Sequence, residues 1–358
     1  MTTDVRTALT ARAYRAVHTA APCACPEPGT VLVDRSDSTV VRHGTVVVKA
    51  HAADTDRPHL AQRMAVAAHP ALHGVLLAPL STTTAPAHDR PVTFWPYGAP
   101  IDPDTEPEQA PWEAAGRLLA QLHRVDPAVL PAGLPVMRGP AKAARAIARL
   151  RATAPHPGTT PVLRAWRALP EWARAEAPVP GRLLCHGDFH LGQLVRVPTR
   201  AAHPDPGAAG GVHGTEWGAP HEDGAAAWRL IDVDDLGLGV PAWDLARPAA
   251  WYACGALGPD EWARFLGSYR AGGGPAVPAE GDPWPVLDVP ARAVTVQSAA
   301  LAVAKATAGR RPLDEVEQAL VDSCDRMAGV PVVADPPVDG GRPAAPRPNA
   351  DPGTGATQ

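Results

Sequence analysis

The sequence predicts an α+β protein in which a small β-rich N-terminal lobe precedes a larger, mostly helical C-terminal lobe. Three observations predict it. Between residues 30 and 50 the Val-rich segments TVLVDR, TVVRHG and TVVVKA are separated by the polar turns SDS and His-Gly, which reads as an antiparallel meander. From Trp112 onward apolar residues recur at helical spacing, as in WEAAGRLLAQLHRV, where Leu118, Leu119 and Leu122 share one stripe. Only RLLC, LVRV and WRLIDV interrupt this helical half as short strands.

In chain order, residues 5–20 have apolar positions at helical spacing, and PCACPEPGT breaks that helix. The three Val-rich strands follow, then a short helix over 57–68. Two further apolar segments, GVLLAPL and PVTFWPYG, complete five strands around one helix. Beyond Trp112, helices are expected at 140–152, 161–176, 241–254, 260–271, 286–308 and 313–328. This reading places the N-terminal lobe at 1–98 and the helical lobe at 99–329. An insert at 198–227 and a tail at 330–358 are rich in Gly, Pro and Ala without period, and read as disordered.

With 358 residues, 45% of them hydrophobic, the chain is long enough for a sizeable core. A net charge of -4, with no local run of Lys or Arg, excludes the electrostatic footprint of a nucleic-acid or anionic-membrane binder and leaves a small molecule as the expected partner. The N-terminus lacks the apolar core of a secretory signal. No stretch approaches the ~20 apolar residues that cross a bilayer, so the cytoplasm is the expected compartment. Cys185, Cys254 and Cys324 read as reduced core thiols. Cys23 and Cys25 form a C-x-C pair without the second ligand pair of a zinc site. Oligomeric state is open.

The chemistry concentrates in LLCHGDFHLGQL, residues 183–194. His186, Asp188 and His190 alternate as ligands do in two-metal hydrolases, but the other nearby histidines, His203, His213 and His221, fall in the Gly/Pro insert. Phosphoryl transfer instead requires a base, a polar metal ligand, a second carboxylate and a lysine for the phosphates. Asp188, Gln193, Asp232 and Lys49 supply them in that order. A loop that leaves a strand at Asp188 and re-enters one at Leu194 puts the base and the Gln193 amide on one rim, where Asp232, ending the partner strand, can reach the same ion. Carboxylate and amide oxygens are hard ligands that suit magnesium. Of 33 basic residues only Lys49, Lys142 and Lys305 are lysines; a lysine in an apolar strand indicates that a compact ammonium is needed where a guanidinium fork does not fit. Asp234 and Asp235 read as a solvated acidic cluster, and Trp251, Tyr252 and Trp262 as core. Asp260, Glu261 and Asp288 read as helix-face carboxylates before they read as a pocket for a cationic substrate.

On these residues the chain resembles, from about residue 30 to 328, the aminoglycoside phosphotransferase and choline kinase-like family, small-molecule relatives of protein kinases. CHGDFHLGQL is similar to that family's catalytic loop, with Asp188 at the base position, and its H-L-G-Q run is similar to the maltokinase-like branch. LIDVDDLGLGVPAWDLA resembles the metal-binding segment, with Asp232 at the metal-ligand position and Asp244 as the buried aspartate that braces the catalytic loop. His186 reads as a structural histidine bracing its own loop. VVVKA resembles the lysine strand, DRSDST the loop over the phosphates, with Ser36 and Ser38, and VTFWPYG the adenine hinge, with Trp95 and Tyr97.

The resemblance implies a protein kinase-like bilobal fold. It also implies transfer of the γ-phosphate of ATP or GTP, with Mg2+, to a hydroxyl of an aminoglycoside-like antibiotic, sugar or amino alcohol. Three departures stand out: Gln193 replaces an asparagine, Val240 an aspartate, and the helix PHLAQRMAVAAH has no glutamate to pair with Lys49, leaving Gln62 as a neutral partner. The last raises a nucleotide-binding pseudoenzyme as the alternative, with a metal-dependent hydrolase behind it.

Overall fold

The computed structural model describes residues 2–18, 29–35, 37–101, 110–198 and 226–332. Cys23, Cys25, Ser36, nearly all of the insert and the tail beyond 332 lie outside them.

The N-terminal lobe runs α1 (Thr2–Val17), β1 (Thr30–Asp34), β2 (Thr39–His43), β3 (Val46–Ala50), α2 (Arg57–Ala67), β4 (Ala85–Ala87) and β5 (Arg90–Pro96). Its strands form one antiparallel sheet in the order β1-β2-β3-β5-β4. Period-two alternation sorts the faces. Val41, Val46, Val48 and Ala50 are buried with Val5, Leu9 and Ala13 of α1. Val40, Arg42, Val47 and Lys49 are therefore left on the opposite face, which overlooks the second lobe.

The sheet has the five strands expected, but the fourth is the short β4, which forms a hairpin with β5; GVLLAPL is not a strand. Val75, Leu76 and Leu77 are buried in that segment, and its backbone bonds to the other lobe: Leu77 N donates to Leu230 O (2.8 Å) and Leu230 N to Val75 O (2.9 Å). A short apolar run buried on all sides has the same sequence signature whether it is laddered or docked on a core.

The chain passes to the second lobe between Pro96 and β6 (Ala99–Pro100), which pairs with the later strand β8. There follow α3 (Trp112–His123), α4 (Gly139–Arg151), α5 (Thr159–Ala168), β7 (Leu183–Cys185), β8 (Leu194–Pro198), β9 (Ala226–Leu230), β10 (Gly237–Gly239), α6 (Ala242–Ala253), α7 (Pro259–Ala271), α8 (Trp284–Ala308) and α9 (Glu315–Ala328). The helix expected over 161–176 stops at Ala168 because Pro170 disfavours helical backbone at Leu169; a 3-10 turn, Glu171–Arg174, follows. β8 and β9 are antiparallel, with Pro198 opposite Ala226, so the insert leaves and returns at adjacent positions.

Helix α8 corrects one sequence expectation. At 25 residues it is long and apolar enough to cross a bilayer, yet 72% of its most apolar window is buried inside the protein. It packs against α4, α6 and α9, and Val289, Val296 and Val303 join the core they share.

Candidate active site

Strand β7 delivers the chain to a loop held from beneath by Asp244. This carboxylate, in the first turn of α6, is fully buried and accepts from His186 N (2.6 Å), Gly187 N (2.7 Å) and His123 Nε2 (2.9 Å). The Asp244 carboxylate sets the His123 tautomer: it accepts from Nε2–H, so Nδ1 accepts from the Tyr269 hydroxyl (2.8 Å), whose oxygen in turn accepts from Ala276 N (2.9 Å). His186 Nε2 donates to Ile231 O (2.8 Å), tying the loop to the segment that carries Asp232. Gly187 has φ +87°, and a Cβ there would lie 2.3 Å from Asp235 O, so only glycine lets the two segments close.

Asp188 emerges from this brace with its side chain 21% exposed. Lys142 Nζ donates to its Oδ2 (2.6 Å) and Arg247 to its Oδ1 (3.1 Å). Burial raises the Asp188 pKa, but Lys142 and Arg247 outweigh it and hold the carboxyl below its usual range. Lys142 also donates to Asp235 Oδ2 (2.7 Å). Burial pushes the Asp235 carboxyl up against the pull of Lys142.

The second centre spans the lobes. Asp232 lies just beyond β9 at φ +63°, and Lys49 of β3 reaches across to its Oδ1 (2.6 Å) and to Asp234 Oδ2 (2.9 Å). Burial works against the Lys49 charge, but the two carboxylates more than compensate and raise its pKa. Burial likewise opposes the Asp234 charge, and Lys49 with His51 overcomes it, holding that carboxyl well below the usual range. His51 Nδ1 lies 3.2 Å from Asp234 Oδ2, and its Nε2 lies 2.9 Å from Thr93 Oγ1. Since Trp95 Nε1 donates to the same Thr93 oxygen (2.9 Å), the Thr93 hydroxyl is free to donate to His51 and leave Nδ1–H toward Asp234. Gln193 Nε2 lies 3.4 Å from Asp232 Oδ2.

Two expectations change here. Asp234 and Asp235 are not a solvated cluster; each pairs with one of the two lysines. Gln62 is not the partner of Lys49: its Oε1 is buried without a partner among the described residues, and its Nε2 packs by Gly133. From α2 it is Arg63 that turns inward, with Nε donating to Leu236 O (2.8 Å), so Asp234, from the helical lobe, supplies the carboxylate that α2 lacks. Nor do His186, Asp188 and His190 converge as ligands. His190 Nδ1 accepts from Gly192 N (3.1 Å), and burial with the nearby Arg247 charge lowers its pKa to about 4.

Trp95 is buried in the core that joins the lobes, while Tyr97 lies beneath the Arg42 guanidinium, 3.4 Å from ring centroid to carbon. Ser38 closes its turn by accepting from Arg35 N (2.8 Å). The sequence reading missed Lys142, Asp234, Asp235, His51, His123 and Arg247. Only Lys142 carried a signal, the rarity of lysine that had singled out Lys49.

A β-rich lobe closed over a helical lobe, with lysine and aspartate meeting at the seam, defines a kinase-like phosphotransferase. Residues 30–200 match the family model described as the phosphotransferase enzyme family. No curated protein sequence matches the chain. Among solved structures, a choline/ethanolamine kinase family protein from Mesorhizobium loti aligns at TM-score 0.52 and 16% identity, covering 89% of this chain and 93% of its own. A thermostable mutant of an aminoglycoside phosphotransferase aligns at 0.52 and 14%, covering 84% and 94%. A spectinomycin phosphotransferase, solved with ADP and spectinomycin, aligns at 0.51 and 12%, covering 84% and 92%. The family and fold expected from the sequence are borne out.

Proposed function

We propose that the protein transfers the γ-phosphate of ATP or GTP to a hydroxyl of a small molecule, and that Lys49, Asp188, Gln193 and Asp232 carry the reaction. The observation that supports it most is the pairing of Lys49 with Asp232 and Asp234 across the lobes, beside a separately braced Asp188. Lys49 is positioned to exchange a carboxylate for phosphate oxygens. Asp232 and Gln193, after a half-turn of its amide, offer hard oxygens that fit Mg2+, which when bound neutralises phosphate charge.

Asp188 orients the acceptor hydroxyl and takes its proton. The acceptor oxygen forms a bond to the γ-phosphorus, the bond to the β–γ bridging oxygen breaks, and that electron pair leaves on the nucleoside diphosphate. A base held below the usual carboxylate range accepts the proton late, which suits a loose transition state in which positioning matters more than basicity. The pseudoenzyme reading loses its motive, since Asp234 supplies the carboxylate absent from α2. Nucleotide titration by calorimetry, followed by diphosphate release with a panel of alcohols, tests the proposal. Failure to bind either nucleotide would overturn it.

A further inference from the structure

The acceptor side of Asp188 has a charge that speaks to the substrate. Two cations flank the base: Lys142 on its Oδ2 and Arg247 on its Oδ1. Arg247 spends one N–H on Asp188, while its buried Nε has no partner among the described residues. A guanidinium has five donors in a fixed fork, so this arginine has donors left for an oxygen brought up beside the base.

Among the described residues, two of the three helix-face carboxylates that would favour a cationic acceptor are engaged elsewhere. Glu261 accepts from Trp112 Nε1 (3.2 Å) and caps α7 through Gly258 N (3.0 Å), and Asp288 pairs with Arg292 (2.8 Å). Asp260 is an exposed residue of the first turn of α7.

We infer that the acceptor is not cationic: next to its reacting hydroxyl it presents an oxygen, a vicinal hydroxyl or a carboxylate, to Arg247, as a sugar or hydroxy acid does and an amino alcohol or aminoglycoside does not. The inference rests on the phosphotransferase reading. An ammonium in that position would face Lys142 and Arg247 at close range, and like-charge juxtaposition is an effective way to reject a substrate. Arg247 is thus a specificity-determining residue as well as a neighbour of the base.

The test uses matched acceptors that differ in a charged amine, glucose against glucosamine and glycerol against serinol, together with glycerate, nucleosides, spectinomycin and hygromycin B. The full-length protein is supplied with Mg-ATP or Mg-GTP, and diphosphate release is read. The expected result is a kcat/KM at least about tenfold higher for the uncharged member of any pair that turns over, with no turnover of the two antibiotics. Arg247→Gln should raise the acceptor KM about tenfold or more while the nucleotide KM stays within about twofold, and Arg247→Glu should narrow or reverse the preference within a pair. Preference of the wild type for the amine members or the antibiotics would overturn this inference and leave the phosphotransferase reading standing. Absence of transfer to every acceptor would fail that reading, and this one with it.

Discussion

Two lysines each hold a pair of aspartates, and the contrast between them shows how the site divides its work. Lys49 comes from the sheet, is 13% exposed and meets Asp232 and Asp234 of the other lobe. Lys142 comes from α4, is 27% exposed and meets Asp188 and Asp235 within its own lobe. The first centre exists only when the lobes are closed, so it couples domain position to whatever Lys49 binds. The second is fixed by one lobe and holds the carboxyl of Asp188, the proposed base, below its usual range. In both, the ammonium is a point donor with three N–H groups, which can bridge two carboxylates and still present a third bond. The turn after β9 contributes to both, since Asp232, Asp234 and Asp235 follow one another closely, and the left-handed backbone at Asp232 aims the run in two directions.

If the division is real, the two centres respond differently to mutation. Asp188→Asn should lower kcat by about 10²–10⁴ while nucleotide affinity by calorimetry stays within about twofold; an equal loss of nucleotide binding would merge the centres. Lys49→Arg keeps the charge but brings a fork where a point is needed, and should raise the nucleotide KM about tenfold or more with little change in acceptor KM. Wild-type kinetics in that variant would remove Lys49 from the mechanism.

Lys142→Met should move the pH profile. As the proposed base, Asp188 works ionised, and Lys142 helps hold its pKa below the usual range; without the ammonium that pKa rises, so the acid limb of kcat/KM should shift to higher pH. An unmoved limb would show that Arg247 alone sets the base. Gln62→Glu should give no gain in nucleotide KM, because Gln62 faces Gly133, and should lower the melting temperature by placing an unpaired charge in a half-buried position. Faster turnover would restore Gln62 as a partner of Lys49. Replacing residues 199–225 by Asn-Gly should shift the melting temperature by no more than about 2 °C, since the flanking strands already face each other in register. A larger fall would show that the insert packs on the body.

The pieces legible in the sequence were local ones. Asp188 and Gln193 lie five residues apart on one loop, Lys49 ends an apolar strand, and the switch from period-two to helical patterning near residue 100 separates the lobes. Contacts between distant segments were not legible. Lys49 meets Asp232 across 183 residues of chain, Lys142 meets Asp235 across 93, and His123 meets Asp244 across 121. Asp234 and Asp235 were misread for this reason: two consecutive carboxylates after a strand look solvated until the cations that neutralise them arrive from β3 and α4. The fourth strand was misplaced for a related one, because burial of Leu76 and Leu77 comes from the opposite lobe and leaves no sign of whether their backbone bonds to a neighbouring strand.

By itself, then, the sequence determined the order and type of the elements, the loop that carries Asp188, and the choice of lysine over arginine at residue 49, because side-chain periodicity and turn chemistry act over a few residues. Only the tertiary structure decided which carboxylate faces Lys49, which cations flank the base, and that Asp244 is held by a chain of donors from His123 and Tyr269. The ionisation of a buried group is set by the sum of charges and dipoles within a few ångströms of it, and in this fold those neighbours come from segments far apart in the chain.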